Sequence, residues 1–103
     1  MRKWVDKVVD IIKMYYDPDK IILFGSVAKN MTDRSSDIDL LIIKQTVVPQ
    51  RFRGVEVVEH LEKFPVKFDL LFYTPRELED AQRHPYSFIS SILKKSEILY
   101  EKF

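Results

Sequence analysis

The segment from Asp37 to Lys44 constrains the fold more than any other stretch of this sequence. Between Asp39 and Lys44 it contains only leucine and isoleucine, so both faces of an extended chain would be apolar there. Such a strand is stable only in the interior of a sheet that is covered on both sides. We therefore predict a layered domain in which helices cover a sheet and this segment is an interior strand.

Two acids open the same strand, at Asp37 and Asp39. Side chains two residues apart in a strand point to the same face, and their Cα atoms lie roughly 6.5–7 Å apart. Two carboxylates beside an apolar run raise each other's pKa, and burial has the same effect. A divalent cation between them removes both costs, so the pair indicates a metal site.

Hydrophobic periodicity predicts strands that alternate with helices along the chain. The predicted strands are residues 20–24, 37–44, 66–73 and 97–101. The predicted helices are residues 3–16, 54–63, 75–84 and 86–93, with a short helical turn over residues 27–30. We predict an α/β (α+β) fold that has a single mixed sheet of about four strands with flanking helices.

The helix predicted after the second strand and the connection before it also yield expectations. Val55, Val58 and Leu61 recur at a spacing of three and are expected to face inward. Arg51 and Arg53 lie in the connection, where they are either solvated or contact a phosphate backbone or an acidic partner. We favour the solvated loop for both arginines.

The composition narrows the class of protein. A length of 103 residues suits one domain with one core, and we expect residues 1–103 to form a single domain. A hydrophobic content of 46% excludes a disordered chain, and the absence of cysteine excludes disulfides and thiolate zinc sites. The net charge of +1, without a basic stripe, argues against a nucleic-acid partner.

Targeting segments are not evident in the sequence. The N-terminus lacks the apolar core of a signal peptide. No apolar run approaches the roughly 20 residues that cross a bilayer. We therefore expect a cytoplasmic protein that has no contact with membranes.

Two further features lie on the first and third predicted strands. Gly25 and Ser26 end the first strand, where glycine allows close backbone approach. The amides that follow, with the Ser26 hydroxyl, would suit phosphate oxygens at a helix N-terminus. Asp69 is the only acid in the apolar third strand, and it makes a third candidate ligand beside Asp37 and Asp39.

Each of these features also has an ordinary structural explanation when it is taken alone. A Gly-Ser pair after a strand is commonly just a turn, and the two acids at 37 and 39 suit a solvated strand end. Asp69 suits a salt bridge with Lys67 or Lys20. The three features become more specific in combination, because their order and spacing in the chain are then fixed as well.

The combined pattern resembles the nucleotidyltransferase superfamily that includes DNA polymerase β, and within it the minimal nucleotidyltransferases (the MNT family). Gly25-Ser26 is followed by ten residues, by Asp37-x-Asp39, and then by a lone Asp69 on a later strand. The resemblance covers nearly the whole chain, from the first helix to the closing Ile98-Leu99-Tyr100. It implies a minimal nucleotidyltransferase domain.

The resemblance also implies a set of site residues and a reaction. Asp37, Asp39 and Asp69 would be the catalytic residues and would hold two Mg²⁺ ions, or Mn²⁺ in their place. The implied nucleotide-binding residues are Gly25, Ser26, Lys29 and Arg34. The implied reaction transfers AMP from ATP, or another NMP from its NTP, to a hydroxyl acceptor and releases pyrophosphate.

The chain departs from the family pattern after the Gly-Ser pair. Members of the family often read Gly-Ser-Arg-Ala-Arg-Gly, whereas Val27, Lys29 and Asn30 stand at the third, fifth and sixth positions here. Lys29 lacks the bidentate geometry of arginine, and Asn30 tolerates the positive φ of the glycine. The charge available to phosphate is thereby reduced, whereas the metal ligands are unaffected.

Free-standing family members of this size are typically paired with a helical HEPN protein. The resemblance therefore implies an antitoxin that adenylylates, and so silences, a HEPN toxin. Two alternatives stay open at this point: a non-catalytic binding module that neutralises a helical partner by steric contact, and nucleotidyl transfer to a small molecule. A homodimer is also consistent with the aromatic content of 13%.

Overall fold

Four strands form one mixed sheet in the computed structural model, which describes residues 2–25 and 37–102. The strands are Lys20–Phe24 (β1), Ile38–Ile43 (β2), Phe68–Tyr73 (β3) and Glu97–Glu101 (β4). Their order in the sheet is β3-β2-β1-β4. β1 is antiparallel to β2 and to β4, whereas β2 and β3 are parallel. The predicted fold class and the mixed sheet are confirmed.

Helices pack on both faces of this sheet. The described helices are Arg2–Tyr16 (α1), Val55–Leu61 (α2), Pro75–Gln82 (α3) and Phe88–Leu93 (α4), with a 3₁₀ turn at Gln50–Phe52. Leu40 and Ile42 of β2 belong to the cluster that includes residues of α1 and α2. Leu41 and Ile43 belong to the cluster that includes residues of α3 and α4. The prediction that β2 is an interior strand covered on both sides is therefore confirmed.

α1 shows why the helix forms and where it packs. Val5, Val8, Ile12 and Tyr16 recur at spacings of three and four, and all four are buried. Full burial of an aliphatic side chain of this kind stabilises a fold by roughly 1.5–3 kcal/mol, so this stripe holds the helix on the sheet. The helix ends before Asp17, which has a positive φ of 49°. No helix in the described ranges is both long and apolar enough to cross a bilayer.

α2 is rotated relative to the orientation expected from its sequence. Val57 and Leu61 are its buried residues, whereas Val55 and Val58 are 64% and 48% exposed. The expectation that Val55 and Val58 face inward is wrong. Apolar residues occur at both three-residue and four-residue spacings in this helix, and the buried set, Val57 and Leu61, continues the helical stripe that begins at the buried Gly54.

Gly54 sets the start of α2 through its conformation and its contact with β3. Its φ is +81°, in the region that favours glycine. A Cβ at this position would lie 2.2 Å from Cζ of Phe72, which is itself buried. The backbone at Gly54 is therefore packed directly against the Phe72 ring, and no larger residue fits without displacing one of them.

Gly54→Ala is accordingly expected to destabilise the protein by more than about 1 kcal/mol, because it adds both backbone strain and a steric clash. The free energy of unfolding from urea denaturation measures the effect. Glu59→Ala, on the exposed side of α2, is the matched control and should change it by no more than about 0.5 kcal/mol. A Gly54→Ala protein as stable as the native one would contradict the proposed packing.

Arg53 is the clearest departure from the sequence-based expectations. The prediction that it lies in a solvated loop is wrong, because its side chain is only 6% exposed. Its guanidinium donates to the carbonyls of Val48 and Phe72 and to both carboxylate oxygens of Glu77. Glu77 lies at the start of α3, where it completes a capping box with Thr74. The 3₁₀ turn carries Arg53 back over the end of β3 to this helix.

Candidate active site

The strand pairing brings the three predicted acids to one region of the sheet. Parallel pairing places Asp39 of β2 directly opposite Asp69 of β3. Asp37 immediately precedes β2. On the other side of β2, Phe24 is the Cα partner of Asp39, so the end of β1 reaches the same place. All three acids lie at one end of the sheet, beside the Gly25 that follows β1.

The acids share the face of the sheet on which α3 and α4 pack. Asp37 and Asp39 alternate with Ile38 and Leu40, whose side chains belong to the opposite cluster. The same alternation in β3 places Asp69 with Leu71, which packs against the cluster on the α3 and α4 side. Asp39 is partly buried, and Asp69 is exposed. The site is therefore open to solvent on the β3 side.

Asp39 is the electrostatic centre of the group. Burial, together with the charges of Asp69 and Asp37, raises the pKa of its carboxyl from 3.8 to about 6. Carboxylates that repel one another in this way have a reason to bind a cation, which would relieve the repulsion. Asp37, Asp39 and Asp69 thus form one acidic cluster.

Gly25 touches this cluster directly, a contact that the sequence did not predict. Its φ is +79°, and a Cβ at this position would lie 2.1 Å from Oδ2 of Asp39. Any other residue would therefore strain the backbone and push the carboxylate away. Gly25 was expected to approach phosphate, whereas its observed contact is with the carboxylate of Asp39. The only sequence signal for this contact was a glycine at the end of one strand, followed along the chain by a strand that begins with Asp-x-Asp.

The remaining predicted residues are placed as follows. Ser26, Lys29 and Arg34 lie outside the described residues, as does the helical turn predicted for 27–30. Lys20, one of the two cations considered for Asp69, pairs instead with Glu101 at 3.0 Å. That observation removes one of the ordinary explanations for the acid in β3.

The donor chemistry of the acidic cluster fits a hard divalent cation. As they stand, no three His, Cys, Asp or Glu side chains within 2–25 and 37–102 are arranged to hold a metal ion. The cluster nevertheless offers carboxylate oxygens only, which Mg²⁺ and Mn²⁺ prefer. Burial and the neighbouring charges of Asp69 and Asp37 raise the pKa of Asp39, and a bound cation would offset both effects. Asp37, Asp39 and Asp69 are therefore the residues that would hold it.

Two cavities near the sheet were not predicted from the sequence. One, of about 390 Å³, adjoins the acidic cluster and is lined by Phe24, Gly25, Ser91, Ile92, Lys94 and Lys95. The other, of about 360 Å³, is an apolar groove formed mainly by residues near α2 and on β3. Since Leu70 and Phe72 line the groove, it lies on the face of β3 opposite Asp69 and is separate from the acids.

Comparison with known proteins identifies the family. The family model described as "Polymerase beta, Nucleotidyltransferase" matches residues 6–102. A comparison with curated proteins finds no match.

Several solved structures share the fold. A toxin-antitoxin crystal structure with AMP-PNP has a TM-score of 0.66 and 18% identity, over 93% of this chain and 72% of that one. A candidate nucleotidyltransferase from Sulfolobus solfataricus has a TM-score of 0.66 and 17% identity, over 99% and 81%. A mutant of the toxin-antitoxin MntA-HpeT has a TM-score of 0.63 and 15% identity, over 93% and 72%. Because the family model covers nearly all of this sequence, the chain belongs to the polymerase β nucleotidyltransferase family.

Proposed function

We propose that this protein is a Mg²⁺-dependent nucleotidyltransferase that transfers AMP from ATP to a hydroxyl group of a partner protein. The observation that carries the proposal is the position of Asp39. Its carboxyl lies between the end of β1 and Asp69 and contacts the backbone of Gly25. The charges of Asp69 and Asp37 contribute to its raised pKa. In a member of a nucleotidyltransferase family, such a cluster is the natural place for the reacting phosphate.

The three acids of the cluster would bind the cation in this reaction, and one of them would also accept a proton. Asp37, Asp39 and Asp69 would hold Mg²⁺, which when bound neutralises phosphate charge and favours ionisation of the acceptor hydroxyl. Asp69, which is exposed, accepts the acceptor's proton and passes it to solvent. The acceptor oxygen bonds to the α-phosphorus, the bond to the bridging oxygen breaks, and pyrophosphate leaves. The Gly25 contact keeps the Asp39 carboxylate in place throughout.

The proposed acceptor is a helical toxin of the HEPN type, with this protein as its antitoxin. Support comes from similarity: two of the structures compared above are toxin-antitoxin structures, and one of them contains AMP-PNP. We further propose that residues 1–103 act as a single catalytic domain in the cytoplasm, assembled as a homodimer or as a hetero-oligomer with the partner. The partner would present its own hydroxyl to the acidic cluster.

Radiolabelled ATP tests the proposal. The purified protein is incubated with Mg²⁺, a candidate HEPN partner encoded beside its gene, and ATP labelled at either the α- or the γ-phosphate. We expect the partner to acquire the α-label but not the γ-label, since the AMP moiety is transferred and pyrophosphate is released. EDTA should prevent labelling.

Different failures have different meanings. Transfer of the γ-label would indicate a kinase and would overturn the proposal. An absence of transfer, together with a stable complex that silences the partner, would favour neutralisation by steric contact. Labelling of a small molecule in place of the protein would leave the reaction intact and correct the acceptor.

A further inference from the structure

The cavity beside the acidic cluster has properties that the three acids do not explain. Its volume of about 390 Å³ lies within the roughly 300–1,000 Å³ that is typical of ligand pockets. Its walls are formed by the end of β1 together with α4 and the residues just after it. Two lysines, Lys94 and Lys95, contribute the positive charge of the lining.

Gly25 connects this cavity to the acids. The same residue lines the cavity and contacts the Asp39 carboxylate. Phe24, which also lines the cavity, is the Cα partner of Asp39 across β1 and β2. A ligand that passes along the bare backbone of Gly25 would therefore reach the carboxylates at one end and the lysines at the other.

Ion pairs and side-chain hydrogen bonds among the described residues do not account for the position of the two lysines. Both are exposed, and neither takes part in an ion pair formed within the described part of the chain. They follow α4, but the carbonyl of Leu93 at its end already accepts a hydrogen bond from the Ser96 hydroxyl at 3.0 Å. Neighbouring positive charges repel each other, and a bound anion relieves that repulsion.

We propose that Lys94 and Lys95 bind the β- and γ-phosphates of the nucleoside triphosphate, with the α-phosphate at the acidic cluster; this inference rests on the proposed function. Both ends of the site would bind negatively charged phosphate. The lysines bind it directly, and the acids bind it through a cation that they hold. The triphosphate is thus oriented with its leaving group towards α4. The lysines are binding and positioning residues, and they distinguish ATP from AMP.

Nucleotide affinity measured with the double variant Lys94→Gln/Lys95→Gln tests this assignment. Titration calorimetry with Mg²⁺ and ATP, in the absence of acceptor, should show a Kd about tenfold higher than that of the native protein. The Kd for AMP should stay within about twofold, because AMP lacks the phosphates that the lysines bind. The native affinity for ATP should also fall more steeply with salt than that of the variant.

A charge-matched control separates a local effect from a general one. Lys7→Gln/Lys63→Gln removes two exposed lysines on or near the helices that cover the opposite face, and it should leave the Kd for ATP unchanged. Melting temperatures of both variants establish that each is folded. Inorganic pyrophosphate with Mg²⁺ serves as a third ligand that contains only the proposed leaving group.

The three ligands distinguish failure of this inference from failure of the proposed function. If the native protein binds ATP and the Lys94/Lys95 variant binds it equally well, the lysine assignment is overturned while the proposed function stands. An equal loss of ATP and AMP affinity also overturns it. If pyrophosphate binds through the lysines but ATP does not bind, the anion site stands and the proposed function fails. If neither ATP nor pyrophosphate binds the native protein, both the lysine assignment and the proposed function are wrong.

Discussion

Asp39→Asn is expected to abolish nucleotidyl transfer and, without divalent cations, to raise the melting temperature of the protein. Activity should fall at least about a hundredfold, because a metal ligand contributes several kcal/mol of charge stabilisation to phosphate chemistry. Stability should change in the opposite direction, since the ionised Asp39 is partly buried beside two further acids. Opposite signs from one substitution are difficult to explain by general damage to the fold.

The direction of the stability change follows from the raised pKa. Folding shifts the pKa of Asp39 from 3.8 to about 6, so the folded state favours the protonated carboxyl. The contribution of the protonated Asp39 carboxyl to the stability of the folded state is fully present below pH 3.8 and is lost as the pH rises through about 6. A shift of this size would be worth about 3 kcal/mol in a fully shielded site, and solvent screening reduces it to about 1 kcal/mol for a partly buried one.

Melting curves in EDTA across this pH range measure the effect. The variant should melt about 5 °C above the native protein at pH 8, and the gap should shrink as the pH falls from about 6 to about 4. Adding Mg²⁺ should stabilise the native protein but not the variant. Asp10→Asn removes an equal charge from the exposed side of α1 and should show neither effect. A native protein that remains the more stable one in EDTA would contradict the acidic cluster.

The sheet and the acidic cluster were predictable because one strong pattern determines both. The apolar run of β2 requires an interior strand, and the two-residue period of a strand places Asp37 and Asp39 on one face. Predicting the position of Asp69 also required the knowledge that β3 pairs in parallel with β2. This pairing places Asp69 opposite Asp39. The helical segment between these strands favours parallel pairing, since parallel neighbours need a crossover.

Other features depend on contacts between residues far apart in sequence, which local patterns do not encode. The buried face of α2 begins at Gly54, which is packed against Phe72, and a sequence with apolar residues at two spacings does not specify this face. The contact of Gly25 with Asp39 and the position of Lys94 beside Gly25 arise only once the strands and α4 are assembled.

Arg53 belongs to the same class, and its replacement should have the largest effect on stability. Arg53→Ala removes a bidentate ion pair whose distances to Glu77 are 2.6 and 3.2 Å, and it leaves the carbonyl of Phe72 with one donor fewer. Hydrogen bonds to charged groups contribute roughly 1.5–3 kcal/mol, and we expect a loss of about 2 kcal/mol because the Glu77 side chain left behind is 41% exposed. The melting temperature should fall by roughly 10 °C in a domain of this size.

The pH dependence separates the ion pair from the packing of the arginine side chain. The hydrogen bond from Arg53 holds the pKa of Glu77 below its ordinary value of 4.5. The contribution of the pair is therefore present above pH 4.5 and is lost as the pH falls through the lowered pKa. Glu77→Gln should be less stable than the native protein at pH 7, and the difference should diminish on acidification.

Arg51→Ala provides the matched control, since Arg51 is exposed and its guanidinium lies 4.7 Å from the centre of the Phe52 ring. Its loss should change the free energy of unfolding by no more than about 0.5 kcal/mol. Two arginines separated by one residue would then differ severalfold in effect, because only one of them links the end of β3 to the start of α3. Equal effects of the two substitutions would mean that Arg53 is solvated and that the ion pair with Glu77 does not stabilise the fold.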